Sequence, residues 1–148
     1  MKHILIISSY APSLINFRLP LIKELLRKGN KVSVATTKNK FTVSLKNQLI
    51  ELGVNINIFS LRRSGLNLFQ EYKSYREIRD IIQNCKPDIL IAYTAKPVIY
   101  TGIILKNFPN TSYYPLITGL GYAFTSDNTF KRSILKNLMI ILYKKGLK

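Results

Sequence analysis

The sequence predicts an α/β domain built on a doubly wound parallel sheet, and three observations carry that expectation. Short apolar runs alternate with amphipathic stretches in the order βαβαβαβαβα, which in one sheet implies right-handed crossovers with helices on both faces. The first run, Ile4-Leu5-Ile6-Ile7, is apolar without alternation, as a strand covered on both sides must be. The chain has 148 residues, 47% of them hydrophobic, which suffices for one domain and is too short for two ordinary ones.

Residues 3–8 form the first strand and, being the most continuously apolar, the expected centre of the sheet. Asn16 is placed to cap a helix carrying Leu19, Ile22, Leu25 and Leu26 on one face, with Pro20 in its first turn. Gly29 follows where a left-handed C-terminal residue is wanted. Residues 32–35 read as the second strand, and a helix over about 42–52 is closed by Gly53. Over 54–59 Val54, Ile56 and Ile58 alternate with Asn55 and Asn57, the pattern of a strand toward the sheet edge. A basic loop spans 60–67, and a long helix over 68–84 is expected to turn Phe69, Tyr72, Ile78, Ile81 and Ile82 inward. Pro87 ends that region; 88–92 is the fourth strand, with Asp88 read as a cap at its start rather than an acid catalyst. Pro97 can open a helix to about residue 106. Residues 113–116 are a weak fifth strand, 118–127 a loop around Gly119-Leu120-Gly121, and 129–147 a last helix.

Several function classes are excluded by counting. The single cysteine, Cys85, leaves no disulfide framework and no paired-cysteine metal or redox site. The single histidine, His3, stands at the very start of an apolar run, which argues against a His-rich metal site and a Ser-His-Asp triad, and no metal is expected. The loop after the first strand has no glycine and a GxxxxGK[ST] loop is absent, which argues against a dinucleotide or P-loop cofactor. The longest apolar run, 138–143, is far short of the ~20 residues a spanning helix needs. Twenty-three Lys and Arg against seven Asp and Glu give a net charge of +16, which attracts nucleic acid, anionic lipid or a phosphate-bearing ligand. Compositional bias toward lysine is the plain alternative for part of it. Tyr72, Tyr75 and Arg76 suggest a nucleic-acid surface, yet three-residue spacing is more simply a helix face, and no nucleic-acid motif accompanies it.

In a doubly wound sheet ligands sit beyond the carboxyl ends of the strands, which selects loops 9–16, 37–41, 60–67, 93–97 and 117–128. The first leads through Asn16 to Arg18, where a helix start and a guanidinium can hold a phosphate; a plain capped helix is the alternative. Arg62 and Arg63 beside Gly65 suit a diphosphate, or form a solvated basic loop. Lys96 follows strand four, where its ammonium would lie over the crevice unless it is a surface lysine. Gly119 and Gly121 allow backbone N–H groups to approach an anion closely.

Four segments together carry a resemblance: Ser13-Leu14-Ile15-Asn16-Phe17-Arg18 with Pro20-Leu21-Ile22; Arg63-Ser64-Gly65-Leu66-Asn67; Lys96-Pro97-Val98-Ile99-Tyr100; and Thr118-Gly119-Leu120-Gly121-Tyr122-Ala123-Phe124. In this order they resemble the amino-terminal domain of family-4-like glycosyltransferases of the GT-B fold. The nearest pattern is that of bacterial enzymes extending polyprenyl-diphosphate-linked oligosaccharides. The resemblance implies a Rossmann-like acceptor-side domain over 1–148, with the carboxyl-terminal donor domain absent. It also implies a nucleotide-sugar donor, typically UDP-linked, held only with that missing domain, a polyprenyl-diphosphate-linked acceptor, retention of configuration, and neither metal nor other cofactor. Asn16, Arg18, Arg63, Lys96, Gly119 and Gly121 carry over as substrate-side positions. Two departures stand out. The stretch Tyr93-Thr94-Ala95-Lys96 lacks the histidine many members carry after strand four, and the glutamates Glu24, Glu51, Glu71 and Glu77 form no paired donor motif. No catalytic residue is therefore assigned, and the chain alone is expected to be inactive or to serve as a non-catalytic membrane-associated subunit. Residues 129–147 form an apolar face with Lys131, Arg132, Lys144 and Lys145 at its margins. That face either packs on the sheet or lies on an anionic membrane, giving an expected location on the inner face of the cell membrane.

Overall fold

The computed structural model describes residues 1–62, 67–118, 140, 141 and 143–146. Its elements are β1 (His3–Ser8), α1 (Pro12–Asn16), α2 (Leu19–Arg27), β2 (Lys31–Thr37), α3 (Val43–Glu51), β3 (Asn55–Phe59), α4 (Leu68–Cys85), β4 (Ile89–Tyr93), α5 (Ala95–Leu105) and β5 (Ser112–Leu116). The five strands pair in parallel in the order β3-β2-β1-β4-β5, which puts β1 at the centre and β3 at an edge, as expected. In register, Ile6 faces Val34 on one side and Ile91 on the other.

The period of two in a strand divides β1 between two cores. Leu5 and Ile7 pack with Ala35, Leu90 and Ala92 beneath α4 (Ile78, Ile82) and α5 (Val98, Ile99, Ile104). Ile4 and Ile6 pack with Val32 and Val34 beneath Leu14 of α1, Ile22 of α2 and Leu49 of α3. The sheet is therefore wound on both faces, a Rossmann-like α/β fold. The helix ends follow local chemistry: Gly29 and Gly53 each stand at φ +75°, Thr42 Oγ1 accepts from Leu45 N–H, and Asn67 Oδ1 accepts from Gln70 N–H. Asp88 caps the sheet as read, accepting from the His3 N–H at 2.7 Å. The His3 ring links Ser33 Oγ of β2 (2.7 Å) to the carbonyl of Cys85 at the end of α4 (2.9 Å), so the lone histidine is a structural tie.

Two expectations are corrected. Asn16 does not cap the helix bearing Ile22; it ends α1, and α2 begins after Arg18. Pro20 explains the break, because a continuous helix would drive its ring into the Asn16 carbonyl and leave that carbonyl without a donor. Phe69 and Tyr72 do not face the core: they are 89% and 62% exposed. At 3.6 residues per turn Phe69 lies roughly 180° and Tyr72 roughly 120° from Ile78, while Glu71, about 20° away, shares the buried side.

Residues 143–146 are helical and rest on α5. Tyr143 joins the core beneath α4 and α5, whereas Lys144 and Lys145 are exposed. The approach is close enough that a Cβ on Gly102 would lie 1.7 Å from the Gly146 carbonyl oxygen. Residues 140 and 141 are helical as well; the remaining residues of the expected last helix, with Lys131 and Arg132, lie outside the described residues, as do Arg63 and the Gly119–Gly121 loop. Among the described residues no helix is long and apolar enough to cross a membrane.

Candidate functional site

The crossover leaving β1 goes to β2 on one side, and the one arriving from β3 reaches β4 on the other. The loops after β1 and β4 thus diverge and leave a crevice at the topological switch point. A cavity of about 380 Å³ occupies it, lined by Tyr10, Ser13, Phe17, Arg18, Tyr93 and Thr94, with Thr118 beyond β5.

Hydroxyl groups hold its walls. Ser13 Oγ is 3.0 Å from the Tyr93 hydroxyl and Ser9 Oγ is 2.8 Å from Thr94 Oγ1, while Thr37 Oγ1 donates to the Ser9 carbonyl at 3.1 Å. The turn after β1 is thereby tied to the ends of β2 and β4. Tyr93 is buried; burial pushes its phenol upward, against hydrogen bonds from Ser13 and Ser8 and the charge of Arg18.

Among the described residues, Arg18 is the one cation lining this cavity. Its guanidinium carbon sits over the Tyr93 ring, 4.8 Å from the centroid, a cation–π contact. One Nη donates to the Phe17 carbonyl at 3.2 Å, whereas Nε is buried and has no acceptor among the described residues. A buried donor without an acceptor costs about 1–3 kcal/mol, so this arrangement favours an incoming oxygen, best an anionic one. The same cavity is lined by Thr94 at φ 71°, ψ 144°, a β-branched residue in backbone territory that suits glycine, with strain of about 1–3 kcal/mol. Thr94 is also the residue before α5, so the positive end of that helix dipole lies at the cavity wall.

Of the positions expected from sequence, Arg18 lines this cavity. Asn16 is exposed on the last turn of α1 and does not line it. Lys96 is not poised over the crevice. Its ammonium donates to Glu71 Oε1 at 2.5 Å and to the Arg62 carbonyl at 2.9 Å, and the Lys96 and Glu71 side chains are only 20% and 15% exposed. The Tyr100 hydroxyl donates to the other Glu71 oxygen, and burial followed by this carboxylate pushes its phenol strongly upward. The structure thus separates a cavity with Arg18 from an α4–α5 network that anchors Arg62. Sequence reasoning passed over Tyr93, Thr94 and Glu71. Tyr93 and Thr94 lie within a strand-end loop the topology had selected, and Glu71 precedes Ile78 by seven residues, two turns up one face.

Residues 3–147 match the family described as glycosyl transferase 4-like. The chain belongs to that family. It is 26% identical over 143 residues to the N,N'-diacetylbacillosaminyl-diphospho-undecaprenol alpha-1,3-N-acetylgalactosaminyltransferase of Campylobacter jejuni, an alignment covering 96% of this chain and 36% of that protein. The chain therefore spans little more than a third of this curated relative's length. Among solved structures, Acinetobacter baumannii MurG superposes with a TM-score of 0.60 at 13% identity, covering 93% of this chain and 39% of MurG. The UDP-GlcNAc 2-epimerase of Methanocaldococcus jannaschii gives 0.55 at 18% identity, with 99% and 42% covered. A deacetylase of teicoplanin biosynthesis gives 0.60 at 11%, with 97% and 84% covered. These likenesses show the fold, the Rossmann-like half of GT-B architecture. Because an epimerase and a deacetylase share it, the fold alone does not give the chemistry of the glycosyl transferase 4-like chain, which rests on its own cavity.

Proposed function

We propose that this chain is the acceptor-side domain of a retaining glycosyltransferase that moves a sugar from a nucleotide-sugar, of UDP type, to a polyprenyl-diphosphate-linked saccharide. The observation that carries the reading is Arg18, set against the Tyr93 ring with a buried Nε that has no acceptor among the described residues, in a switch-point cavity of a family member. A diphosphate supplies what that geometry lacks: anionic oxygens for the guanidinium fork and for the positive end of α5. The named activity of the Campylobacter relative, a transfer to a diphospho-undecaprenol-linked sugar, supports the same substrate class. In this reading Arg63, Gly119 and Gly121 belong with Arg18 to the acceptor side of the cleft, whereas Asn16 and Lys96, which do not line the cavity, make no contact with the diphosphate. The nucleotide-sugar binds only when a donor domain faces them. The acceptor is membrane-borne, so the domain works peripherally on the inner face of the cell membrane, where Lys131, Arg132, Lys144 and Lys145 can meet anionic headgroups.

Titration calorimetry of the chain with inorganic pyrophosphate and with a short-chain polyprenyl diphosphate tests this. Arg18→Gln should weaken both about 10-fold or more, roughly the 1.4 kcal/mol or more of a charge-assisted pair, with the Tm nearly unchanged. Equal affinity in wild type and variant would remove Arg18 from the site and the proposal with it.

A further inference from the structure

The switch-point cavity carries an aromatic ring for which a diphosphate has no use. Phe17 lines the cavity and is 68% exposed, whereas the ring under the Arg18 guanidinium, that of Tyr93, is buried. Phe17 stands in the short link between α1 and α2, and both of its backbone groups are engaged. Its N–H donates to the Ser13 carbonyl at 3.1 Å, and its carbonyl accepts from an Arg18 Nη at 3.2 Å. The ring is therefore presented from a held backbone, and one of the contacts that holds it also holds the guanidinium. An aromatic face and an anion anchor thus stand one residue apart in the same cavity. The rest of the described lining bears hydroxyls, those of Tyr10, Ser13, Tyr93, Thr94 and Thr118. A hydroxyl can donate one hydrogen bond and accept two, so such a wall suits a ligand that carries hydroxyls of its own.

We infer that Phe17 is the platform for the pyranose ring joined to the diphosphate, and so a residue that determines which acceptor is taken. A pyranose chair carries its hydroxyls around the periphery and presents C–H groups on a face. The electron-rich face of a phenyl ring attracts those C–H groups, and hydroxyl-bearing neighbours can meet the sugar's edge. A prenyl chain would gain from the ring but would leave the hydroxyls against hydrocarbon, which costs free energy wherever they lose a partner. The lining therefore favours the saccharide over the lipid. The inference rests on the diphosphate reading of Arg18 and adds to it the side chain that recognises the sugar.

Titration calorimetry with three probes separates the two readings: inorganic pyrophosphate, geranyl diphosphate, and geranyl diphosphate carrying N-acetylglucosamine on its terminal phosphate. Wild type should bind the glycosylated probe about 10-fold more tightly than geranyl diphosphate. Phe17→Leu keeps an apolar side chain and loses the ring. It should cut that advantage to about 2-fold, with pyrophosphate and geranyl diphosphate bound as by wild type and the Tm unchanged, because the ring is mostly exposed. Phe17→Tyr should keep the advantage. By NMR, C–H protons of the bound sugar should shift upfield on wild type and on Phe17→Tyr, and not on Phe17→Leu, as ring stacking requires. Equal affinity of wild type for the two geranyl probes, or a leucine variant with the full advantage, would overturn the platform and leave the diphosphate reading standing. A leucine variant that weakens geranyl diphosphate as much as the glycosylated probe would assign Phe17 to the lipid and overturn the platform as well. Pyrophosphate binding that Arg18→Gln leaves unchanged would overturn the diphosphate reading and this inference with it.

Discussion

Thr94 carries the strain that shapes the cavity, and its contributions can be separated by substitution. Glycine relieves about 1–3 kcal/mol of backbone strain at φ 71° but loses the hydroxyl contact to Ser9 and adds freedom to the unfolded chain, about 1 kcal/mol each. Thr94→Gly should therefore fall within about 1 kcal/mol of wild type. Valine keeps the β-branch and the strain, and leaves Ser9 without its partner, so Thr94→Val should lose about 1–2 kcal/mol. Urea unfolding orders the two; a valine variant more stable than the glycine one would mean that the backbone here is relaxed. None of this is legible in the sequence, where Thr94 is an ordinary residue between a strand and a helix. Lys96 is hidden for a related reason: its partner Glu71 lies 25 positions away, and one sequence read by local spacing does not pair them. Arg18 is legible because topology alone places the loop after a central strand at the crevice.

At the scale of elements, winding is read well and helix faces less well. The unbroken apolar run of β1 and the asparagines alternating through β3 announce a central and an edge strand, since burial on both faces leaves no room for polar alternation. In α4 the identity of Phe69 and Tyr72 suggests a core, but their angle from Ile78 decides against it. The contact of α5 with residues 143–146 is a second case where space outranks propensity. In an isolated helix Gly102→Ala would gain about 1 kcal/mol. Here the added methyl meets the Gly146 carbonyl at 1.7 Å, a backbone atom that yields only by moving the segment. Gly102→Ala should then displace residues 143–146, expose Tyr143 and lose about 1–3 kcal/mol net. Trypsin reports it directly: cleavage after Lys144 and Lys145 should accelerate several-fold. A variant that melts higher and is cut no faster would show that the contact is looser than its geometry.

For the whole molecule, the cavity, the charge and the family point to one division of labour. The crevice opens along the carboxyl edge of the sheet, with Arg18 and the start of α5 on its wall, and in the proposed function this chain supplies grip for an anion. Glycosyl transfer requires a second substrate held in line against the first, and that positioning is a large share of the rate. The chain spans 36% of the length of its Campylobacter relative, so a complete enzyme of that kind has room for a further donor-binding domain. The net charge of +16 helps both ligands and surfaces approach, but long-range attraction does not orient a reaction. The 148-residue chain by itself should therefore bind pyrophosphate in an Arg18-dependent way, more weakly as salt rises, and transfer no sugar. Labelled sugar nucleotides incubated with the purified chain and short polyprenyl-diphosphate acceptors check this. Product above the blank without a second protein would mean that donor and acceptor can both be held on this one wall, and the division of labour would have to be abandoned.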